Sequence, residues 1–391
     1  MSRPRVLILN RDDTSTTKTW SGIPFHIKKI LEDKGVEITV IDNLGYPNDF
    51  ISKVKNRIKR TLGLRPYYYS DASAKFYAKK INPLIKNKAR DFDCLFSIDF
   101  HLPLPYLDVE CPILHFSDAS LAMLIDIQYP GFTEVKGGEK NVLMGIEERG
   151  FQRADRVLIT SDFAIERIKK IYPGVDSSKF KRLPFSSQIY PAPKKTDLQL
   201  RTMKSDEVIR FLFVGRDWKR KGGEKTVEIM KSLKNLGMKV HLSIVGANPE
   251  VNLDSDEFTI YENLDIKIEK EKEVYFSLLM NSHFFILPTL NEAFGIAYVE
   301  AFSFGLPVIS HRVCAMEEIV DHQKTGLLFD VELSSGDVAE QIKECIALGD
   351  ENYLSMQETA RSVFEERFSA ENWVDQFLRN LEETKTIYET K

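Results

Sequence analysis

Two glutamates in the stretch NEAFGIAYVEA, residues 291–301, could hold a polar ligand. Glu292 and Glu300 stand eight positions apart, and the residues between and after them are mostly small or apolar. Carboxylates rarely lie in such surroundings unless they are paired or bind something. One interpretation is a ligand site where both carboxylates accept hydrogen bonds from hydroxyl groups, such as those of a sugar and a ribose. The other is a buried helix whose glutamates cap amides or pair with Lys and Arg.

The elements around these glutamates predict where they lie. The apolar run FFILPT is typical of a buried strand that ends before Glu292, and a helix is expected over residues 295–304. Glu292 would then lie beside the helix N-terminus, and Glu300 about one and a half turns further along. The first amides of a helix have no intrahelical acceptor and attract anions, so a phosphate could bind at residues 294–296.

A basic turn lies in FLFVGRDWKRKGGEK, residues 211–225, which predicts a strand, a turn and the start of a helix. Gly215 ends the strand, and Arg216 and Lys221 flank the turn. Two cations at such an edge suit a diphosphate, which Arg can bind through two parallel hydrogen bonds. The alternative is an exposed basic loop. The glycines do not form GxGxxG, so the turn gives little support to a dinucleotide site.

Strands alternate with helices along the whole chain, which predicts parallel α/β sheets. The predicted strands are residues 6–9, 36–42, 94–98, 112–116 and 157–161 in the first half, and 209–215, 239–246, 284–289 and 307–310 in the second. Between the halves, residues 184–206 are rich in Pro, Ser and charge, which is typical of a linker. We therefore expect two α/β domains joined near residue 190, with a ligand at the carboxyl ends of the strands or in a cleft between the domains.

Taken together, these motifs resemble those of the retaining glycosyltransferases of family four, which have the GT-B fold of two Rossmann-like domains facing across a cleft. The second half carries VGRDWKRKGG, SHFFILPTLNEAFGIAYVEAFSFGLPVIS and KTGLLF, and the first half carries RDDTSTTKTWSGIPF, HFSDAS and RADRVLITSDFAIERIKKIYPGVDSSKFKRLPF. The resemblance implies an acceptor-side domain over residues 1–190, a linker over 191–207 and a nucleotide-sugar domain over 208–369. It also implies that a C-terminal helix, about residues 370–391, crosses back to the first domain.

The resemblance assigns roles to the motif residues of the second half. Glu292 matches the glutamate that holds hydroxyls of the donor sugar, and Glu300 matches the one that binds the ribose. Arg216 and Lys221, preceded by Gly215, match the pair that neutralises the diphosphate leaving group. The backbone amides offered to the sugar and the phosphates would be those of Phe294, Gly295 and Ile296.

In the first half, the resemblance points to two loops. Ser21 and Gly22 match the loop that closes over the phosphates or the acceptor, with one glycine where many relatives have two. Many relatives also have a histidine after the strand that corresponds to ILHF, where it touches the donor sugar. The candidates here are His115 and Asp118, and the alignment of the motifs favours Asp118.

The implied function is transfer of a hexose, with retention, from a nucleotide-diphosphate sugar to a glycan, lipid-linked or small-molecule acceptor in polysaccharide or glycoconjugate biosynthesis. Breaking the sugar–diphosphate bond puts negative charge on the leaving oxygens, which two cations and a helix N-terminus can stabilise, so no metal or other cofactor is expected. A sugar-nucleotide epimerase of the same fold and a non-catalytic sugar-nucleotide-binding or scaffold subunit are alternatives. A retaining glycosidase, whose two carboxyls lie about 5–5.5 Å apart, would leave the basic turn without a purpose.

The composition argues against several other classes of protein. The 54 basic and 58 acidic residues nearly balance, which does not favour a nucleic-acid binder. Asp91-Phe92-Asp93 resembles a metal-binding DxD motif but precedes a strand, at the wrong edge of a sheet, and the histidines show no metal-ligand spacing. Scattered thiols suit a reducing cytosol, and no stretch has the ~20 apolar residues of a membrane span, so the predicted location is cytoplasmic. The cysteines form no CxxC pair: they are Cys94, Cys111, Cys314 and Cys345.

A basic segment forms part of the first half. Residues 51–90 contain twelve Lys or Arg and one acid, Asp71. The sequence ISKVKNRIKRTL, residues 51–62, predicts a helix that could contact the inner face of a membrane or an anionic acceptor. The alternative is a helix that packs on the first domain and has a solvated basic face. The apolar face of this helix would consist of Ile51, Val54, Ile58 and Leu62.

Overall fold

The computed structural model describes residues 3–47, 54, 57, 61, 69–86, 91–129, 132–133, 135–202, 208–249, 254 and 256–390. By contacts, the chain divides into two compact units. The first consists of Met1–Pro184 with Trp373–Lys391, and the second of Phe185–Asn372. The segment predicted as a linker, residues 191–207, is described as far as residue 202 and belongs to the second unit.

The core of the first unit is a parallel sheet of β1 (Arg5–Leu9), β2 (Glu37–Ile41), β3 (Cys94–Ile98), β4 (Ile113–Ser117), β5 (Arg156–Ile159) and β6 (Phe180–Arg182). Within the described residues, their order is β2-β1-β3-β4-β5-β6. Strands β3, β4 and β5 are buried along their whole length, as expected for a parallel sheet that is covered on both faces. Because β1 lies between β2 and β3, the strand order reverses there, and the carboxyl ends of β1 and β3 border a crevice.

Helices of the first unit connect these strands. They are α1 (Ile23–Asp33), α2 (Asp71–Ile85), α3 (Leu121–Asp126), α4 (Gly137–Arg153) and α5 (Asp162–Ile171). Serine side chains cap the N-termini of α2, α3 and α5 by accepting a backbone N–H three residues on, and this fixes where each helix begins.

A C-terminal helix, α12 (Ala370–Glu389), joins the first unit from Trp373 onwards. The Phe377 ring lies 4.7 Å from that of Phe96 in β3, and the Trp373 ring lies 5.9 Å from that of Phe116 in β4. Nearer its end, the buried Arg156 donates to Thr384 at 3.2 Å. Burial of these rings against the sheet therefore anchors the end of the chain on the first unit.

The second unit is also built on a parallel sheet, of β7 (Ile209–Val214), β8 (Val240–Val245), β9 (Phe258–Tyr261), β10 (Phe284–Ile286), β11 (Val308–His311) and β12 (Gly326–Phe329). In the described part of this unit the order is β12-β11-β10-β7-β8-β9. This is the doubly wound order of a dinucleotide-binding domain, and it reverses between β7 and β10. The loops after these two neighbouring strands leave the same edge of the sheet.

The helices of the second unit are α6 (Gly223–Asn235), α7 (Glu269–Asn281), α8 (Ile296–Ser303), α9 (Met316–Ile319), α10 (Ser335–Ala347) and α11 (Gly349–Val363). A π-helical turn, Phe364–Phe368, follows α11. Residues 185–202 pack against this unit, and the guanidinium of Arg201 donates to backbone carbonyls in the last turn of α7 and just after α8.

The predicted parallel α/β architecture with two sheets is confirmed, and the predicted strands and the helix after Glu292 are found within a few residues of their expected bounds. The sequence analysis did not predict β6, β9 and β12. Strand β6 is short and mostly exposed, and β9 is a half-exposed edge strand, so neither has the apolar run of a central strand.

Candidate functional site

The loop after β10 brings Glu292 to the carboxyl edge of the second sheet. The strand ends at Ile286, and the chain continues through Leu287, whose N–H donates to Ile309 of β11. Glu292 is only 9% exposed. As predicted, it precedes the N-terminus of α8, and Glu300 lies inside that helix. Both glutamates therefore lie where the sequence predicts them relative to this helix.

The basic turn after β7 contacts this loop. Lys221 forms an ion pair with the Glu292 carboxylate, and Arg220 Nη1 lies 3.5 Å from Glu292 Oε2 and donates to the Asn291 carbonyl at 2.8 Å. The Arg220 carbonyl in turn accepts the Leu290 N–H at 2.8 Å. The two loops are therefore joined by charge and by backbone hydrogen bonds at the point where the strand order reverses.

Gly222 makes this close approach feasible. Its φ of +75° is in the left-handed region, and a Cβ at this position would overlap the carbonyl of Pro288. No other residue type would let the start of α6 pack directly against the end of β10 without strain. Gly222 is therefore required by the packing of these two loops, although the glycines of this turn do not form GxGxxG.

Arg216 differs from its neighbours in the basic turn. It follows Gly215, whose N–H donates to Val245 of β8 at 2.9 Å, and its side chain is exposed. Within the described residues, neither a carboxylate nor a carbonyl accepts a hydrogen bond from the Arg216 guanidinium. The turn thus presents a cation at the same sheet edge as the ion pair of Lys221 and Glu292.

The N-terminus of α8 has the features of an anion site. Gly295, with φ of +98°, precedes the helix, and a Cβ there would overlap the Tyr298 ring. No acceptor among the described side chains and carbonyls pairs with the backbone amides of Phe294, Gly295 and Ile296. The Phe294 ring is buried against Phe185 at 5.4 Å, which holds the backbone in place. These amides can therefore donate to a ligand.

Glu300 occupies a different environment from Glu292. It is half-buried, and Glu300 Oε2 accepts a hydrogen bond of 2.9 Å from the hydroxyl of Tyr275 on α7. Burial raises the pKa of the Glu300 carboxyl to about 7, while the Tyr275 hydrogen bond acts in the opposite direction. The two glutamates thus have separate partners, a lysine in one case and a tyrosine in the other, and do not form a carboxylate pair.

In the first unit, Ser21 and Gly22 form a strained turn before α1. Trp20, Ser21 and Gly22 have φ values of +41°, +54° and +82°. Gly22 is buried and Ser21 is exposed, so the hydroxyl faces solvent beyond the carboxyl end of β1. Such successive left-handed residues are uncommon outside glycine, and they often mark a ligand loop.

The structure separates the candidates His115 and Asp118. His115 lies within β4, is 1% exposed and packs against the rings of His101 and Phe151. Burial, followed by the neighbouring His101, lowers the pKa of His115 well below its usual value. Asp118 is half-buried in the loop after β4, and its carbonyl accepts from Thr160. Asp118 is therefore the candidate at the ligand edge of the sheet, and His115 is part of the core.

A small polar pocket at the crevice of the first sheet was not anticipated. Its cavity volume is about 10 Å³, and its lining includes Arg11 after β1, with Asp99 and His101 after β3. Asp99 has φ of +48° and accepts from Ser117 at 2.9 Å, and burial raises the pKa of its carboxyl to about 6. His101 is 6% exposed and its Nε2 has no hydrogen-bond partner among the described residues. The pocket could not be predicted from the sequence, because it depends on β1 and β3 being neighbours in the sheet.

The DxD-like motif has structural partners. Asp93 accepts the Arg5 N–H at 2.8 Å and pairs with Lys385 of α12 at 2.8 Å, at the amino edge of the first sheet. The part of the chain that the structure describes contains no group of three or more His, Cys, Asp or Glu side chains that could hold a metal ion.

Most of the basic segment 51–62 lies outside the described residues. This applies to Ile51, Ile58 and Leu62, whereas Val54 is described and is 41% exposed. None of the helices in the described part of the chain combines the length and the apolar character that crossing a bilayer requires.

Arg220 and Tyr275 are site residues that the sequence analysis did not identify. Arg220 belongs to the WKRK run of the basic turn, so its charge was visible but its direction towards Glu292 was not. Tyr275 lies on another helix, twenty-five positions before Glu300. Tyr275 and Leu279 are four residues apart and form the buried face of α7, which is a signal that could have drawn attention to Tyr275.

Comparisons with known proteins show what the chain is similar to. Residues 196–363 match the model of the family described as glycosyl transferases group 1. The capsular polysaccharide biosynthesis glycosyltransferase CapM of Staphylococcus aureus is 29% identical over 41% of this chain and 42% of that protein. The amylovoran biosynthesis glycosyltransferase AmsK of Erwinia amylovora is 27% identical over 52% of this chain and 56% of that protein. The chain thus spans about half the length of these curated relatives.

Among solved structures, the Anabaena protein HepE, determined with UDP and glucose, superimposes with a TM-score of 0.60. The superposition covers 96% of this chain and 99% of that one at 12% identity. At this identity, the similarity concerns the fold of the chain.

Proposed function

Because residues 196–363 match the model of the glycosyl transferases of group 1 and the chain has the GT-B fold, we propose that it is a retaining glycosyltransferase. In this proposal it moves a sugar from a nucleotide-diphosphate donor to a glycan, lipid-linked or small-molecule acceptor, without a metal ion. The match to this family model agrees with the resemblance drawn from the motifs. CapM and AmsK act in polysaccharide biosynthesis according to their names, which favours a glycan as the acceptor.

The contact between the basic turn and the Glu292 loop supports this function most directly. When the bond between sugar C1 and the phosphate oxygen breaks, its electron pair stays on the diphosphate. Arg216 and Lys221 lie at the edge where that charge would develop, with the open amides of α8 beside them. The ammonium of Lys221 has three donors, so it can keep Glu292 and still bind a phosphate oxygen. Arg216 can donate to the diphosphate through its planar fork.

The glutamates fit the sugar and the ribose of such a donor. Glu292 is held by Lys221 and Arg220 beside the amides that would bind phosphate, so its carboxylate can accept from hydroxyls of the transferred sugar. Glu300 lies about one turn into α8 and has a tyrosine as its partner, so it suits the two hydroxyls of a ribose. Anabaena HepE, solved with UDP and glucose, offers a precedent for a donor of this kind in the same fold.

The first unit would supply the acceptor side. Ser21 and Gly22 form a strained, partly exposed turn after β1, and Asp118 follows β4 at the same edge. The pocket with Arg11 and Asp99 lies where the strand order reverses, which is the usual ligand position in an open parallel sheet. At about 10 Å³ the pocket has room for a single hydroxyl group, which its carboxyl and guanidinium could bind.

We also propose that the basic segment, residues 51–62, brings the enzyme to the inner face of a membrane from the cytoplasm. Val54, the described member of its apolar face, is exposed, as this contact requires. Lys and Arg on the other face would attract anionic lipids.

Release of nucleotide diphosphate tests the function. The protein is incubated with a panel of UDP, GDP and ADP sugars, with and without oligosaccharide acceptors, and the free diphosphate and the anomeric configuration of the product are measured. Acceptor-dependent release with retention is expected. A protein that only binds would release nothing, and an epimerase would give an isomerised sugar; either result would overturn the proposal.

Calorimetry tests the nucleotide site independently of the acceptor. Glu300→Ala should weaken binding of the preferred nucleoside diphosphate by roughly 1.5–3 kcal/mol, because the ribose loses a charged acceptor. Unchanged affinity in a folded Glu300→Ala variant would contradict the ribose role of Glu300.

A further inference from the structure

Tyr275 is a buried polar residue that the proposed mechanism does not yet use. It lies on the inner face of α7 and is 5% exposed. Burial raises the pKa of its hydroxyl well above the usual value, so the group is a neutral hydrogen-bond donor at any physiological pH. A buried tyrosine usually has a partner for its hydroxyl, and here that partner is the Glu300 carboxylate.

The geometry of this hydrogen bond fixes one half of the carboxylate. Tyr275 donates to Glu300 Oε2 at 2.9 Å, across from α7 to α8. A carboxylate has two oxygens with about four acceptor positions, so Oε1 and the second position on Oε2 remain for a ligand. Tyr275 therefore fixes the orientation of the carboxylate and leaves acceptor positions open to a ligand.

We propose that Tyr275 is a positioning residue for nucleotide binding, which orients the Glu300 carboxylate so that it accepts from both hydroxyls of the ribose. This inference rests on the proposed function, in which Glu300 binds the ribose. Tyr275 itself need not touch the ligand. It acts by reducing the freedom of Glu300 before the ligand arrives, and by favouring the ionised carboxylate that a diol prefers.

The ionisation of Glu300 gives this role a distinctive pH dependence. Apart from burial, Tyr275 is the group that acts on the pKa of Glu300 among the described residues, and no charged side chain contributes. The wild-type pKa is about 7, and the hydrogen bond from Tyr275 lowers it. Its removal should raise the pKa of Glu300 further. Nucleotide affinity should then fall most below the pKa, where the variant keeps its carboxyl protonated, and should recover only in part at high pH, where the loss of orientation remains.

The experiment compares Tyr275→Phe with wild type by calorimetry at pH 6 and pH 9. The probe is the tightest binder among UDP, GDP and ADP, together with its 2′,3′-dideoxy counterpart, which lacks both ribose hydroxyls. Tyr353→Phe is the matched control, because Tyr353 is a buried tyrosine of the same unit whose hydroxyl donates to the His283 carbonyl. Each tyrosine variant is also made in a Glu300→Ala background.

A hydrogen bond to a charged group is worth at least about tenfold in an equilibrium constant, so Tyr275→Phe should raise the Kd for the ribonucleotide about tenfold at pH 6. At pH 9, where the carboxyl is ionised in both proteins, the increase in Kd should be smaller than at pH 6 but still measurable, because the carboxylate has lost the group that orients it, and the dideoxy nucleotide should be unaffected at both pH values. In the Glu300→Ala background, Tyr275→Phe should have no further effect. Tyr353→Phe should show neither the pH dependence nor the discrimination between the two nucleotides.

Equal weakening for the ribonucleotide and the dideoxy nucleotide would overturn the inference, because it would indicate a general loss of structure. So would an unchanged Kd in Tyr275→Phe when Glu300→Ala weakens binding, and in that case the proposed ribose role of Glu300 would stand. If Glu300→Ala itself leaves the affinity unchanged, the ribose role and the positioning role both fail.

Discussion

Arg201 attaches the segment after the unit boundary to the two helices that carry Tyr275 and Glu300. It is half-buried, and its Nε donates to the side-chain oxygen of Gln357 at 2.9 Å. The terminal nitrogens donate at 2.8–3.2 Å to carbonyls at the C-terminal ends of α7 and α8, namely those of Leu279, Met280, Phe304 and Gly305. The last carbonyls of a helix have no intrahelical donor and carry partial negative charge, so a single cation here satisfies two helix ends.

The replacement Arg201→Met keeps much of the apolar stem and removes every donor. A buried carbonyl that loses its donor costs about 1–3 kcal/mol, and water that enters the site limits this loss. Each helix end also loses a cation worth about 0.3–1 kcal/mol. We therefore expect the free energy of unfolding of the second unit to fall by about 3–5 kcal/mol, which is the combined effect of several carbonyls without a donor and of the cation lost from both helix ends. This is a large part of the stability of a typical domain.

Hydrogen exchange measured by mass spectrometry can localise the effect. Amides in peptides that cover α7 and α8 should exchange about a hundredfold faster or more in Arg201→Met, because exchange from the native state follows the free energy of opening. Peptides from β3 and β4 of the first unit should be unchanged. Arg379→Met, which removes an exposed arginine on α12, serves as the control. Unchanged exchange at α7 and α8 would refute the assignment of Arg201 as their common anchor.

Further predictions concern catalysis, pH and membranes. Arg216→Ala should lower turnover at least a hundredfold with little change in melting temperature, since this cation acts on charge that develops in the transition state, and activity should survive EDTA. Lys221→Ala should lower turnover at least as much and should also lower the melting temperature, because Glu292 loses its ion pair. Glu147 is buried on α4, and burial raises the pKa of its carboxyl from 4.5 to about 7. Between these pH values only the unfolded state ionises, so the free energy of unfolding should fall by about 3 kcal/mol as the pH rises, and Glu147→Gln should remove that slope in urea titrations. Vesicles with anionic lipids should bind the protein at low salt and release it at high salt, and replacement of the Lys and Arg residues of 51–62 by Gln should abolish binding; no sedimentation of wild type would contradict the membrane contact.

Local patterns in the sequence were sufficient to predict the elements that carry the site. The run FFILPT followed by Gly295 predicts a strand, a loop and a helix, because apolar burial and left-handed backbone geometry are both local properties. The same patterns place Glu292 and Glu300 correctly relative to α8, and Arg216 and Lys221 at the end of β7. These are statements about positions along one segment, and the structure agrees with them.

Partners between distant segments could not be predicted in this way. The ion pair of Lys221 with Glu292 depends on β7 and β10 being neighbours, which follows from the strand order and not from either segment. Tyr275 and Glu300 meet because two helices pack on the same sheet. The composition of residues 184–206 favoured a linker, yet Arg201 anchors this stretch to the second unit through hydrogen bonds to distant carbonyls, which composition does not reveal.

Helix α8 shows why residues away from the ligand matter for this site. The helix has only eight residues, too few to be stable alone, so its position must come from its contacts. Near its start, the Tyr298 hydroxyl donates to the Leu287 carbonyl at 2.7 Å, which ties the first turn to the end of β10. At its other end, Arg201 donates to the carbonyls that follow the helix. The open amides and Glu300 are thus held from both ends by groups that touch no ligand. Substitution of either anchor should therefore weaken nucleotide binding although every residue proposed to contact the nucleotide is retained.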